Sequence, residues 1–233
     1  MQERKEMKIA VITARGGSKR IPRKNIKEFC GKPILAYSIE AALKSGVFDE
    51  VMISTEDDEI AGIAVKYGAS LPFKRSMENA DDHSTTVDVM CEVLDSYEKL
   101  GKHPDVMCCI YPTAPFVTAE KLKTACELFE RNNANAVIPV VRFSFPPQRC
   151  FVENSGFIEY KWKEYQFARS QDLEPFYHDA GQFYMIRSDV MKEKHTLVPD
   201  KTVPLILDDM EVQDIDTLDD WNIAEIKYGI INR

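Results

Sequence analysis

No apolar run in the 233-residue sequence approaches the roughly 18 to 20 residues that a membrane span needs, so no membrane partner is expected. The opening MQERKEMKIAVITA has acids in its charged part and only a short apolar run, and is expected not to act as a signal peptide. Six cysteines (Cys30, Cys91, Cys108, Cys109, Cys126, Cys150) show neither Cys-x-x-Cys nor paired Cys/His spacing, which excludes a zinc-ribbon type of site. Cys108 and Cys109 sit in an apolar run and read as small buried hydrophobes. These absences together predict a reduced, cytoplasmic, soluble protein. Gly-x-Gly-x-x-Gly is missing, which disfavours a dinucleotide-dependent dehydrogenase. Gly-x4-Gly-Lys-Ser/Thr is missing too, so a P-loop is not supported. No internal repeat, low-complexity tract or flexible linker breaks the chain, and one domain over 1–233 is the simplest organisation.

What is present is an ordinary globular composition, 44% hydrophobic and 29% charged, with a net charge of −8. Its distribution says more than its sum. Residues 1–32 carry ten Lys/Arg against three acids, and the rest of the chain holds 20 basic and 35 acidic residues. An acidic body argues against nucleic acid and anionic membranes, whose binding needs many phosphates neutralised. A compact basic loop suits one polyphosphate instead.

Short apolar runs alternate with amphipathic segments. Lys8–Ala14 reads as a buried strand ending at Arg15-Gly16-Gly17, Pro33 opens a helix that runs to Gly46, and Glu50–Ser54 reads as a second strand. Further helices are expected at Asp57–Tyr67, Thr85–Leu100, Ala119–Arg131 and from Asp216 to about Tyr228. Strands are expected at Ala69–Phe73, Asp105–Ile110, Ala136–Val141, Gln182–Ile186 and Val203–Leu207. This rhythm predicts an α/β fold, doubly wound, with a mainly parallel sheet covered on both faces. From about 142 to 175 the texture changes to Pro146-Pro147, aromatics and short alternating runs, read as a small β-rich insertion.

Two segments stand out chemically. Between Arg15 and Lys27 lie six basic residues and no acid. Gly16 and Gly17, following a buried strand, let backbone N–H groups approach an anion, and Ser18 adds a hydroxyl. In an open parallel sheet such a loop lines the ligand crevice; a plain solvated basic loop is the competing interpretation. The other segment, Asp208–Asp220, has seven acids in thirteen residues and no Lys or Arg. Asp214 and Asp216 are two apart, so extended backbone points both carboxylates to one side, as Mg²⁺ would use. Asp216 also fits a helix N-cap with acids in the first turn behind it. Asp82, Ser84, Thr85 and Thr86 offer caps for the helix that follows, while His83 reads as a surface residue.

The loop Arg15-Gly-Gly-Ser-Lys-Arg-Ile-Pro-Arg-Lys-Asn25 resembles the signature of the CMP-sugar-acid synthetases, cytidylyltransferases that activate nine-carbon sialic-type acids. The resemblance continues through Ser54-Thr-Glu-Asp57, Arg75 and Glu78, Pro112-Thr-Ala-Pro115 and Asp214-Ile-Asp-Thr217, from Ile9 to about Asp220. It implies a Rossmann-like nucleotidyltransferase fold. It also implies triphosphate binding by Arg15, Ser18, Lys19, Lys24 and Asn25, nucleotide contact at Arg75 and Thr86, and metal on Asp214 and Asp216. The implied catalytic set is Arg15, Lys24, Asp214 and Asp216, with CTP as substrate and Mg²⁺ as cofactor. The insertion falls where the family places its dimerisation element, so a homodimer is expected.

Arg169–Tyr184 alternates polar residues with aromatics around Gly181, as a polyhydroxylated acid requires. Tyr111, Arg169, Gln171, His178, Asp179 and Gln182 are the sugar-site candidates, with Arg169 suited to a carboxylate by its planar fork. Phe183 and Tyr184 read as core. His178-Asp-Ala-Gly-Gln-Phe-Tyr184 resembles the pseudaminic acid branch of the family, and so does Tyr111, where the sialate branch has Gln. The resemblance therefore implies conversion of CTP and pseudaminic acid to the CMP-sugar and pyrophosphate. N-acylneuraminate and legionaminic acid are the runner-up substrates, and a catalytically silent nucleotide-binding protein is the alternative of another class.

Overall fold

The computed structural model describes residues 5–81 and 83–232, which leaves Asp82 outside the described residues. The chain opens with strand β1 (Lys8–Thr13), followed by a two-rung hairpin of β2 (Glu28–Phe29) and β3 (Lys32–Pro33) and helix α1 (Ile34–Ser45). Gly46 ends α1 in the left-handed conformation (φ 65°), where a side chain would be strained. Strand β4 (Glu50–Ser54) leads to α2 (Asp58–Lys66), which Asp57 caps by accepting from the Glu59 and Ile60 N–H groups. Helix α3 (Thr86–Lys99) starts with a Thr85/Asp88 capping box, and β5 (Val106–Ile110), α4 (Ala119–Arg131) and β6 (Ala136–Arg142) follow.

The next segment holds the exposed hairpin β7 (Phe151–Asn154) and β8 (Phe157–Tyr160), then β9 (Tyr177–Asp179). The chain finishes through β10 (Phe183–Arg187), α5 (Ser188–Lys194), β11 (Thr202–Leu207) and α6 (Leu218–Ile231).

Seven strands form the main sheet, in the order β11-β6-β10-β5-β1-β4 with β9 added alongside β6. β1 pairs in parallel with both β4 and β5, and β6 pairs in parallel with β11. β10 is antiparallel to its two neighbours, and β9 is antiparallel to β6. Alternate strand residues feed two cores. Ala10, Ile12, Ile53 and Cys108 pack with α1, α2 and α4, while Ile9, Val11, Met107 and Cys109 pack with α3 and α5 on the opposite face. Both cysteines are fully buried, as expected, and Phe183 and Tyr184 lie in these cores. A further cluster seats α6, through Trp221 and Ala224, on Ile21, Phe29 and Ile34 behind the basic loop.

The α/β fold and its mainly parallel sheet agree with the sequence, and four expectations need correction. Ala69–Phe73 is not a strand; only Ser70 bridges to Met52. The 142–175 segment is mostly loop and short 3₁₀ turns around the β7–β8 hairpin, so it is less β-rich than its aromatic alternation suggested. β10 runs against the sheet because no crossover helix separates it from β6: the chain leaves and re-enters at the same edge. Thr217, not Asp216, caps α6, and Asp220 closes the box by accepting from the Thr217 N–H. Among the described residues no helix is long and apolar enough to cross a membrane.

Candidate functional site

β1, β4, β5, β6 and β11 all end at one edge of the sheet, and the loops leaving them carry the residues of interest. The basic loop after β1 is locked by its own neighbours. A Cβ on Gly16 would lie 2.6 Å from Asp57 Oδ2, so this position needs glycine, while Gly17 has open space around it. The Gly16 N–H donates to Glu56 Oε1 at 2.7 Å. In the chain by itself this amide is therefore engaged by the Glu56 carboxylate. Arg23, in the left-handed region at φ 55°, pairs with Asp57 and Glu59. The Arg23 guanidinium, helped by the α2 amides, holds the Asp57 carboxyl down at about 2 despite some burial. Buried Asn25 donates from Nδ2 to the Arg15 carbonyl at 2.8 Å and closes the loop on itself.

The loop forms one wall of a cavity of about 550 Å³. Arg15, Ser18, Lys19, Arg20 and Lys24 of the loop line it, together with Arg75, Asn79, Thr85, Thr86 and Tyr111 from the rest of the wall. Its cations suit phosphates, and its neutral donors and acceptors suit a base or sugar. Arg75 is 7% exposed; burial pulls its guanidinium below the usual range, opposed by the charges of Glu56 and Glu92. It donates to Ser54 Oγ at 3.1 Å and to the Ser54 carbonyl at 2.7 Å. Arg15 Nη1 donates to the Asp81 carbonyl at 2.8 Å, tying the basic loop to the segment before α3. Thr85 caps α3 as anticipated, and Thr86 Oγ1 lies 3.4 Å from the Tyr111 hydroxyl.

The acidic turn after β11 meets the basic loop directly. Lys24 Nζ donates to the Ile215 carbonyl at 2.6 Å and lies 3.6 Å from Asp216 Oδ1, which also pairs with Arg20 at 2.8 Å. Burial, and then the neighbouring Asp216 charge, push the Asp214 carboxyl above its usual range. A carboxylate whose ionisation is disfavoured by a second one nearby is suited to a hard cation. Among the described residues no cluster of three His, Cys, Asp or Glu side chains forms a protein cage. A pair of carboxylates without a cage fits Mg²⁺, which keeps waters and takes substrate phosphate oxygens for the rest of its shell.

A second cavity, of about 510 Å³, adjoins the first and shares Tyr111 with it. His178, Asp179, Gly181, Asp214 and Lys227 are among its walls. Asp179 Oδ1 accepts from the Gly181 N–H at 2.7 Å and Oδ2 from the Tyr184 hydroxyl at 2.6 Å. The Tyr184 ring meets Tyr111 edge-on, with centroids 5.6 Å apart. Burial pushes both phenols above their usual range, so they act as neutral hydrogen-bonding groups. His178 lies exposed on β9, with Nδ1 2.9 Å from the Asp179 carbonyl and its ring against Phe143.

Of the sugar-site candidates, Tyr111, His178 and Asp179 are brought together here. Gln182 is not: its buried side chain donates to the Glu211 carbonyl and holds the acidic turn to β10. Arg169 and Gln171 also lie apart on the 142–175 segment, where Arg169 is exposed and paired with Asp172. The sequence reading missed Glu56 and Asp57 as supports of the basic loop. It also missed Lys227, which no local signal in α6 marks.

The chain matches the cytidylyltransferase family over residues 9–199 and belongs to it. It is 40% identical to a pseudaminic acid cytidylyltransferase of Campylobacter jejuni over 223 residues, 95% of this chain and 96% of that one. It is 34% identical to a CMP-N,N'-diacetyllegionaminic acid synthase of Legionella pneumophila, covering 93% and 94% of the two chains. Among solved structures, a CMP:2-keto-3-deoxy-manno-octonic acid synthetase complexed with CTP superposes with a TM-score of 0.68 at 17% identity. The match covers 97% of this chain and 99% of that one, and it establishes the shared fold.

Proposed function

We propose that the chain activates pseudaminic acid, a nine-carbon keto-sugar acid, with CTP. The anomeric oxygen of the sugar forms a bond to the α-phosphorus of CTP, and the bond from that phosphorus to the β-phosphate oxygen breaks. The products are the CMP-sugar, pyrophosphate and the proton of the sugar hydroxyl. The observation that carries this reading is the pair of adjoining cavities that share Tyr111, one walled by the basic loop and the other with Asp214 in its wall.

Such displacements depend on alignment and charge neutralisation. Arg15, Lys19 and Lys24 offset the charge of the triphosphate and the departing pyrophosphate, with Ser18 and Asn25 completing the loop. Lys24 is already positioned by the Ile215 carbonyl. Arg75 and Thr86 face the nucleoside end. Asp214 and Asp216 would hold Mg²⁺, which neutralises phosphate charge when bound. Tyr111, His178 and Asp179 shape the sugar side. The similarity to the Campylobacter enzyme supports pseudaminic acid as the acceptor.

A homodimer accompanies this reading. The 142–177 segment exposes Phe145, Phe157, Ile158 and Phe167, each at least two-thirds accessible, a surface suited to a second copy of the chain. Arg169 and Gln171 lie on that segment and would then serve a sugar site completed between subunits. All six cysteines are free, which supports the reducing cytoplasm as the place of work. The test is pyrophosphate release from CTP and Mg²⁺ with pseudaminate, legionaminate and N-acetylneuraminate in parallel. Release with pseudaminate well above the others is expected. Preference for another acid overturns the substrate, and no release with any of them overturns the reaction.

A further inference from the structure

The second cavity has the wrong charge for an acidic ligand. Asp179, Asp209 and Asp214 all line it, and among the described residues of its wall Lys227 is the one Lys or Arg. Lys227 reaches from α6, half-buried, and its Nζ donates to the Asp209 carbonyl at 3.0 Å and to the Val212 carbonyl at 2.8 Å. An ammonium has three donors, so one N–H remains beyond these two fixed bonds. The two carbonyls also hold the charge in place, which lowers the cost of ordering a flexible side chain when a ligand arrives. Arg169, the cation the sequence offered for a carboxylate, is engaged with Asp172 outside this cavity. Even with Asp214 given to the metal, bringing a carboxylate beside Asp179 and Asp209 without a further cation would be unfavourable.

We propose that Lys227 receives the carboxylate of the sugar acid, giving the cavity its selectivity for an acid over a neutral sugar. This rests on the nucleotidyl-transfer reading above. The acidic side chains opposite are then matched to the rest of the ligand: Asp179 and Asp209 accept from its hydroxyl and acylamino groups. The substrate class implied is a polyol carrying one carboxylate and several hydrogen-bond donors, bound with the carboxylate toward α6.

The test compares the sugar acid with its C1 carboxamide as acceptors for the full-length enzyme, by pyrophosphate release at saturating CTP. Release by the wild type with the acid checks the reaction itself, independently of Lys227. K227M is expected to raise KM for the acid about 10- to 100-fold, the scale of a charge-assisted hydrogen bond. The KM for CTP should stay within about twofold, and the preference for acid over carboxamide should collapse. K227R, which keeps the charge, should retain that preference within about threefold. A K227M enzyme that loses acid and carboxamide equally shows Lys227 to be only a clamp on the acidic turn, and overturns the proposal. Loss of the preference in R169A with retention in K227M also overturns it. Should K227M fail to fold, K227R decides alone: loss of the acid preference there, with CTP binding unchanged, contradicts the assignment.

Discussion

The two cavities at the sheet edge are built by opposite means. On the nucleotide side the basic loop is locked by its neighbours. Gly16 lies against Asp57, Asn25 holds the Arg15 carbonyl, and Lys24 is anchored on Ile215. On the sugar side the wall continues into the three-residue strand β9 and a segment whose hairpin is exposed along its whole length. The first region is finished within one chain; the second leaves apolar side chains uncovered. The basic loop is therefore held in place by contacts within its own chain. In the proposed function, the acceptor meets the region that a single chain leaves less enclosed.

The comparison can be broken at several points. Asp216→Ala removes the carboxylate that joins Arg20 and Lys24 to the acidic turn, and Lys24→Ala removes the cation on the other side. Each is expected to lower turnover roughly 10²- to 10³-fold with the fold intact, read by pyrophosphate release and circular dichroism. Near-normal rates at saturating Mg²⁺ would remove these residues from the site. Phe157→Asp with Ile158→Asp should turn a dimer into a monomer in sedimentation velocity and raise KM for the sugar more than for CTP. An unchanged sedimentation coefficient would place the subunit contact elsewhere.

Smaller effects separate the two glycines of the loop. Gly16→Ala drives a methyl group into Asp57 and should cost about 1–3 kcal/mol in urea unfolding, whereas Gly17→Ala should stay within about 0.5 kcal/mol. Equal costs would refute the close approach as the reason for glycine. The smallest effect concerns acid. Asp57 titrates at about 2 in the folded chain, below the roughly 4 of an unfolded carboxylate. Its contribution is therefore present above pH 4 and lost as pH falls toward 2. Asp57→Asn should flatten the fall in stability over that window, and an unaltered acid slope would exclude the Arg23–Asp57 pair as its source.

Much of this was legible in the sequence because the signals were local. The apolar run of β1, the Gly46 stop of α1 and the Thr118-capped span of α4 carry their own boundaries, and the basic loop announces itself by charge. Strand direction is not local, so β10 looked like one more parallel strand. Thr217 and Asp216 are both good caps one residue apart, and only the reciprocal bonds with Asp220 decide between them. Arg169 and Gln182 fitted a sugar site by composition. One is placed on the exposed segment, and the other is buried under the acidic turn. Lys227, 13 residues beyond Asp214 in the sequence, enters the same cavity only through the packing of α6.

The central claim is that the two cavities hold the two substrates of one transfer, on either side of Tyr111. Steady-state kinetics of Tyr111→Leu, with CTP and the sugar acid each varied, tests it most directly. Both KM values should rise, by about fivefold or more, because the ring walls both cavities. A change confined to one substrate, or to neither, would contradict the account.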